Sequence, residues 1–331
     1  MAKQALITGG AGFIGSHLAG RLKEQGRTIL LVDDLSTGIR SNIEALLDDQ
    51  CSLIESDMSQ VLCDSTLLRG VDEIYHLAAT VGVKRTVDDP LGMIRNNIDQ
   101  TRQVLHAAAR AGATVLIASS SEVYGKCPQL PLRENMDIVY GPTTASRWTY
   151  GLTKALDERM AIDFGRRFGL QAVIVRLFNT IGPRQVGDYG MVVPRFIARA
   201  IAEEPIEVYG DGTQIRTFCD VRDVTEAMIR LMATPQSYGQ IFNLGTDCPV
   251  SINQLAHRVL DLSGSSAGYR LVPYEQVYGS GFEDPSARLP DLDKISQMIG
   301  FSPQYSLDET LTELIDIRRR QSSPSPAGSS R

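Results

Sequence analysis

Thr8-Gly9-Gly10-Ala11-Gly12-Phe13-Ile14-Gly15 is the stretch around which the chain is organised. The apolar run Ala5-Leu6-Ile7 precedes it as a strand would, and Phe13, Ile14, Leu18 and Leu22 follow at helical spacing. The glycines therefore stand where strand gives way to helix. In such a turn Gly9 permits a tight bend, Gly12 lets the backbone approach a pyrophosphate, Gly15 lets helix and strand come close, and the helix opened by Phe13 and Ile14 offers its N-terminus to the anion. Glycine-rich turns also occur as plain connectors, so a second feature is needed. Thr28 to Val32 is another apolar strand, and it ends in Asp33-Asp34, about 20 residues past the glycines, where an acidic side chain accepts hydrogen bonds from a ribose. A carboxylate there repels a 2′-phosphate, which favours NAD over NADP with Asp33 as the contact. Asp34 fits a solvated turn.

Working outward, the 331 residues suffice for one large dinucleotide-binding unit and a smaller lobe. A net charge of −6, with acidic and basic residues interspersed, argues against nucleic acid or an anionic membrane as the main partner. An anionic ligand then needs local cations. The five cysteines are odd in number and far apart, without a Cys-x-x-Cys, so no zinc site or disulfide framework is expected. Neither a charged apolar leader nor a run long enough to span a bilayer is present, which makes the cytoplasm the expected location.

Further strands are expected at Ser52 to Glu55, ending at Asp57, and at Glu73 to Leu77, running into Ala78-Ala79. In a parallel sheet their carboxyl ends form the ligand edge, so Asp57 can meet an adenine and Ala78 can let the cofactor lie close; both also fit ordinary turn residues. His76, inside an apolar strand, reads as a hydrogen-bonded core residue. Lys84 and Arg85 follow in a loop at the same rim and are the nearest cations for a substrate carboxylate. A long helix is expected from Asp89 to Ala111, then a buried strand from Thr114 to Ala118 that runs into Ser119-Ser120-Ser121-Glu122-Val123-Tyr124-Gly125.

Tyr150 and Lys154 come next, four residues apart and hence on one helix face. A phenol has a solution pKa of about 10 and needs a nearby cation to act as a base near neutrality; Lys154 can supply it. Such a pair is common on solvated helices, but behind a nucleotide turn and a serine-rich strand end it reads as catalytic. Beyond a strand from Leu170 to Arg176 the alternation breaks down, and the mixed region that follows is the expected substrate lobe. Residues 318–331, rich in Ser, Pro and Arg, read as a disordered tail.

These features together resemble the extended short-chain dehydrogenases/reductases that act on nucleotide sugars. The resemblance runs to about Leu314 and rests on the glycine turn, Asp33, Ser-Ser-x-Glu-Val-Tyr-Gly, Tyr150 with Lys154, Asn179 with Gly182-Pro183-Arg184, Tyr209-Gly210-Asp211-Gly212, Arg216 and Arg288-Leu289-Pro290-Asp291. It implies an α/β fold: a Rossmann-type doubly wound parallel sheet over residues 1–176, with segments near 217–245 returning to it, and a smaller α/β lobe over 177–317 that binds the nucleotide sugar. It also implies NAD, a UDP-sugar substrate, no metal, and a homodimer formed through the helices Asp89 to Ala111 and Thr149 to Phe168.

By the same resemblance, NAD takes a hydride from sugar C4 while Tyr150, assisted by Ser120, removes the O4 proton. The 4-keto sugar can then lose CO2 from C6, lose water, or take the hydride back on its other face. Glu122 and the Arg147-Trp148-Thr149-Tyr150 sequence resemble UDP-glucuronate decarboxylases. Gly82-Val83-Lys84-Arg85 is closer to the loop of uronate 4-epimerases, which keeps UDP-glucuronate or UDP-glucose 4-epimerisation open. Both comparisons favour a uronate with Lys84 or Arg85 near its carboxylate. Arg216 and Arg288 match positions that contact the nucleotide diphosphate, with Arg184 a third candidate, and Asn179 belongs to the same substrate set. Tyr209 can stack on uracil or fill a strand edge. A non-catalytic NAD-binding regulator is the reading from another class; the intact Ser120, Tyr150 and Lys154 oppose it.

Overall fold

The computed structural model describes residues 3–64, 66–80, 89–187, 191–279 and 282–322. The expected strands are extended because each is a short apolar run with both faces covered. They are β1 (Gln4–Thr8), β2 (Thr28–Asp33), β3 (Cys51–Glu55), β4 (Val71–His76), β5 (Thr114–Ser120) and β6 (Ala172–Leu177). Chain order then continues with β7 (Asn179–Ile181), β8 (Ile206–Tyr209), β9 (Ile215–Arg216), β10 (Phe218–Asp220), β11 (Ile241–Leu244), β12 (Val250–Ser251) and β13 (Tyr269–Val272).

Seven of these form the central sheet in the order β11-β6-β5-β4-β1-β2-β3, every neighbouring pair parallel. This is the doubly wound arrangement the sequence implies, with β11 as a seventh strand beside β6. The strand order reverses between β1 and β4. A ligand crevice is expected outside the carboxyl ends of the strands at such a reversal.

One apolar cluster covers each face of the sheet. Leu18, Leu22 and Leu31 join Val224, Met228 and Phe242 on one side. Leu6 and Ile74 meet Val104, Leu105 and Ala161 on the other. The helices Pro90–Ala111 and Thr149–Phe168 supply that second layer and lie against each other. Asp89 caps the first of them, its Oδ1 accepting from the Gly92 amide at 2.9 Å.

The smaller lobe has its own core. Phe196 and Ile197 of the helix Val192–Ile201, Leu255 and Val259 of the helix Ile252–Ser263, and Leu311 and Ile315 close over Ile206 and Val208 of β8. β13 pairs parallel with β8. The chain does not become irregular at Arg318, as its composition suggests: the last helix runs Leu307–Ser322. Arg319 reaches across to the Ser263 carbonyl at 2.7 Å, and cations in a last helical turn complement the helix dipole. Composition alone misses such a docked end.

Candidate active site

The glycine turn is shaped by contacts that leave no room for side chains. Gly9 has φ +69°, and a Cβ on it would stand 2.9 Å from the Ala78 amide at the end of β4. A Cβ on Gly15 would meet the Gly9 carbonyl at 2.2 Å, so Gly15 fixes helix Phe13–Glu24 on the turn itself rather than on a strand. No side chain caps that helix, which leaves its first-turn amides to an anion. Asp33 closes the crevice from β2: Oδ2 accepts from the Ala11 amide at 2.9 Å and Oδ1 from Leu35 at 2.9 Å. Burial raises its pKa, and the two amides work against the rise. Each oxygen keeps a further lone pair for a ribose hydroxyl. The turn, the uncapped helix and this carboxylate fit NAD. Asp57 is engaged nearby as the cap of Met58–Cys63, accepting from the Ser59 amide at 2.7 Å.

β5 delivers Ser120 to the same edge. Its Oγ accepts from the Glu122 amide at 3.2 Å as the chain turns through Ser121–Tyr124. The helix carrying Tyr150 and Lys154 abuts this turn, because a Cβ on Gly151 would lie 2.5 Å from the Glu122 carbonyl. Burial pushes the Tyr150 phenol up, and Lys154 pulls it back; Glu122 and Asp157 add to the rise, while a hydrogen bond with Ser120 lowers it. Burial also works against the Lys154 charge, but Asp157, 3.2 Å away, and Tyr150 outweigh it and raise its pKa.

Glu122 is the hub of a buried charge cluster. Arg147 grips it with two hydrogen bonds, Nη1 to Oε2 at 2.7 Å and Nη2 to Oε1 at 3.1 Å, and Arg288 Nη1 reaches Oε1 at 2.6 Å. Burial disfavours its charge, yet Arg288 and Arg147 hold it far below the usual carboxylate range. Asp284 joins Arg147 at 3.6 Å and Arg216 at 2.7 Å, and accepts from the Tyr274 hydroxyl at 3.1 Å. Three guanidinium groups thus face two carboxylates, and Arg288 Nε and Nη2 are buried without a partner among the described residues. The excess positive charge suits an anion.

Residues 5–245 match the NAD dependent epimerase/dehydratase family. The chain belongs to that family. Two curated members are similar over nearly all of it. The UDP-N-acetyl-alpha-D-glucosaminuronate decarboxylase of Bacillus cytotoxicus is 39% identical over 316 residues, covering 95% of this chain and 97% of its own. UDP-glucuronic acid decarboxylase 2 of Arabidopsis thaliana is 34% identical over 329 residues, 99% of this chain and 71% of its own. Among solved structures, the UDP-glucuronic acid 4-epimerase of Bacillus cereus in complex with UDP-glucuronic acid and NAD superposes with a TM-score of 0.83 at 29% identity, over 96% of this chain and 99% of that one.

In this epimerase/dehydratase family member the structure brings together Ser120, Glu122, Tyr150 and Lys154, and joins Arg216 and Arg288 to them through Glu122 and Asp284. Asn179 is tied to the second lobe, donating to the Thr217 carbonyl at 3.0 Å. Tyr209 has the Arg195 guanidinium over its ring at 3.7 Å and Tyr278 edge-on at 5.9 Å. Arg184 makes none of the cluster's contacts. It is exposed, with φ +69°, next to Pro183, whose carbonyl meets His17 of the first helix at 2.9 Å. Lys84 and Arg85 lie outside the described residues.

Sequence reasoning missed Asp284, which sits in an irregular segment with no periodic signal. It named Arg147 only as part of a motif and not as the partner of Glu122. Asp157, one turn past Lys154, had a readable signal in its spacing.

Proposed function

We propose that this protein decarboxylates a UDP-hexuronate through a 4-keto intermediate, using NAD. The observation that carries this reading is the buried cluster around Glu122, whose surplus guanidinium charge, with Arg288 half-paired, suits a substrate bearing both a diphosphate and a carboxylate. The decarboxylases from Bacillus cytotoxicus and Arabidopsis support it. NAD, which the glycine turn, the first-turn amides of helix Phe13–Glu24 and Asp33 would hold, would supply the hydride acceptor for sugar C4 and the hydride donor for the product.

The chain's own residues do the rest. Tyr150, with Lys154 favouring its phenolate, takes the O4 proton, and the Ser120 hydroxyl steadies the same oxygen. With a ketone at C4, the C6 carboxylate stands β to it, so the electrons of the C5–C6 bond can pass to the carbonyl as CO2 leaves. Tyr150 and Ser120 then hold the developing negative charge on O4 until C5 takes a proton from water and the ketone re-forms. Glu122, kept ionised by Arg288 and Arg147, fixes both guanidinium groups at the site. We assign Gly9, Gly12, Phe13, Ile14, Gly15, Asp33, Asp57 and Ala78 to the cofactor, and Asn179, Tyr209, Arg216, Arg288 and Lys84 to the UDP-sugar. Arg184 was expected with the substrate diphosphate; its place beside the first helix favours the cofactor side.

The test is NMR of the purified protein with NAD and either UDP-glucuronate or its 2-acetamido analogue, following sugar C4 and C6. Loss of C6 with a UDP-pentose product is the expected result. Retention of C6 with inversion at C4 would replace it by 4-epimerisation, the reading favoured by the similar Bacillus cereus structure. Which of the two sugars reacts identifies the C2 substituent.

We further propose a cytoplasmic homodimer. Leu91 and Ile94 on Pro90–Ala111, and Leu152 and Leu156 on Thr149–Phe168, are exposed apolar residues on two adjoining helices, as a four-helix bundle between two copies requires.

A further inference from the structure

Lys154 has a counterion that the mechanism above does not use. Asp157 is wholly buried and Lys154 is 2% exposed, and the ammonium donates to Asp157 Oδ2 at 3.2 Å. A line of polar groups reaches the same carboxylate from the other side of the sheet edge. The Ala78 amide donates to Thr8 Oγ1 at 3.3 Å, Thr8 Oγ1 lies 2.8 Å from His76 Nδ1, His76 Nε2 lies 3.2 Å from Thr101 Oγ1, and the Thr101 hydroxyl works to lower the Asp157 pKa.

One arrangement of protons satisfies all of these contacts. Thr8 donates to Nδ1 of a neutral His76, and His76 donates from Nε2 to Thr101, which leaves the Thr101 hydroxyl proton free on the side of Asp157. Burial, with Lys154 adding to it, holds His76 down to about 3, which agrees with a neutral ring. Burial raises the Asp157 pKa, and the Lys154 ammonium, followed by the Thr101 hydroxyl, works against the rise and favours its charged form.

We propose that Asp157 is a positioning residue for the catalytic pair: a buried counterion that aims the Lys154 ammonium and restrains the Tyr150 phenol from ionising. The charge count explains the restraint. While Tyr150 is protonated, Lys154 and Asp157 sum to zero, so ionising the phenol leaves the buried trio at −1. Without Asp157 the same ionisation takes the group from +1 to zero, which is easier in a dry site. The other charged groups facing the trio are few among the described residues. Glu158 lies on the same helix but is paired with Arg176 of β6 at 2.7 Å, and Glu122 of the Ser121–Tyr124 turn is held by its two arginines. Pro90–Ala111 contributes the Thr101 hydroxyl, and β4 the neutral His76.

The proposal rests on Tyr150 as the proton acceptor, but its test needs no substrate. The ultraviolet absorbance of ionised phenol is titrated in the NAD-loaded protein, and the Tyr150→Phe curve is subtracted to isolate Tyr150. In an Asp157→Asn background, the same subtraction should place the midpoint lower by about one pH unit. Asp157→Ser, different in shape and also neutral, should move it the same way, and Asp157→Glu should restore the original value. A midpoint that is unchanged or higher in the neutral variants overturns the proposal. Loss of sugar turnover in Tyr150→Phe tests the underlying reading separately. In the reacting enzyme, the acid limb of the pH–rate profile should move with the spectral midpoint.

Discussion

The glycine turn and the Glu122 cluster are both needed at one crevice, yet they are built from opposite materials. The turn is backbone: a positive φ at Gly9, a carbonyl that Gly15 must not crowd, and one carboxylate, Asp33, held by amides. The cluster is side-chain charge, with Glu122, Arg147, Arg216, Asp284 and Arg288 drawn from separated segments and locked by ion pairs. The turn should therefore fail when atoms are added, and the cluster when charge is removed. Tyr150 and Lys154, the proposed catalytic pair, stand beside Glu122 of the cluster.

The largest loss is expected at that pair. Tyr150→Phe removes the proposed proton acceptor with little change of shape, and turnover should fall by about three to four orders of magnitude. Unchanged NAD binding, checked by cofactor content after purification, should separate this loss from damage to the turn. Glu122→Gln comes next. It keeps the shape but leaves Arg147 and Arg288 without their shared anion, and removing one partner of a buried pair costs about 3–5 kcal/mol. CO2 release should drop about a hundredfold, and denaturant unfolding should show the stability loss. If CO2 release survives, the cluster does not carry the reaction.

For the turn the probe is one methyl group. Gly15→Ala would set a carbon 2.2 Å from the Gly9 carbonyl, and overpacking of this kind costs about 1–3 kcal/mol. NAD affinity should weaken by about tenfold or more, while Asn at Asp34, which makes only a local turn contact with Ser36, should leave it unchanged. Isothermal titration of both variants checks the contrast.

The two regions also differ in how far the sequence revealed them. Gly9, Gly12, Gly15 and Asp33 lie within one strand-helix-strand unit, where spacing alone encodes geometry, so the turn and the parallel sheet around it could be read directly. Tyr150 and Lys154 were legible for the same reason, being one helical turn apart. The Glu122 cluster was half legible. Arg216 and Arg288 stood in recognisable motifs, but Glu122 pairs with Arg147 across 25 positions and with Arg288 across 166, and no periodicity records such contacts. Asp284 gave no signal at all. The helical end at Ser322 was misread because its polar composition hides a docking contact to Ser263.

His76, between Thr8 before the glycine turn and Thr101, gives the mildest effect. Its ring is 1% exposed, and burial holds it at about 3 in the folded chain, against about 6.5 when unfolded. Below the unfolded value the unfolded state therefore binds more protons, so stability is fully present at higher pH and declines as pH falls from about 6.5 toward 3. One such group contributes a slope of about 1.4 kcal/mol per pH unit. His17, also lowered by burial, acts in the same direction, so the wild-type slope belongs to both. His76→Gln offers a donor and an acceptor to Thr8 and Thr101 but does not titrate. Denaturant unfolding just below neutrality, before carboxylates protonate, should show the slope flattened in this variant by the share of one histidine. An unchanged slope would mean that His76 charges without disturbing the fold, and the neutral ring between Thr8 and Thr101 would not hold.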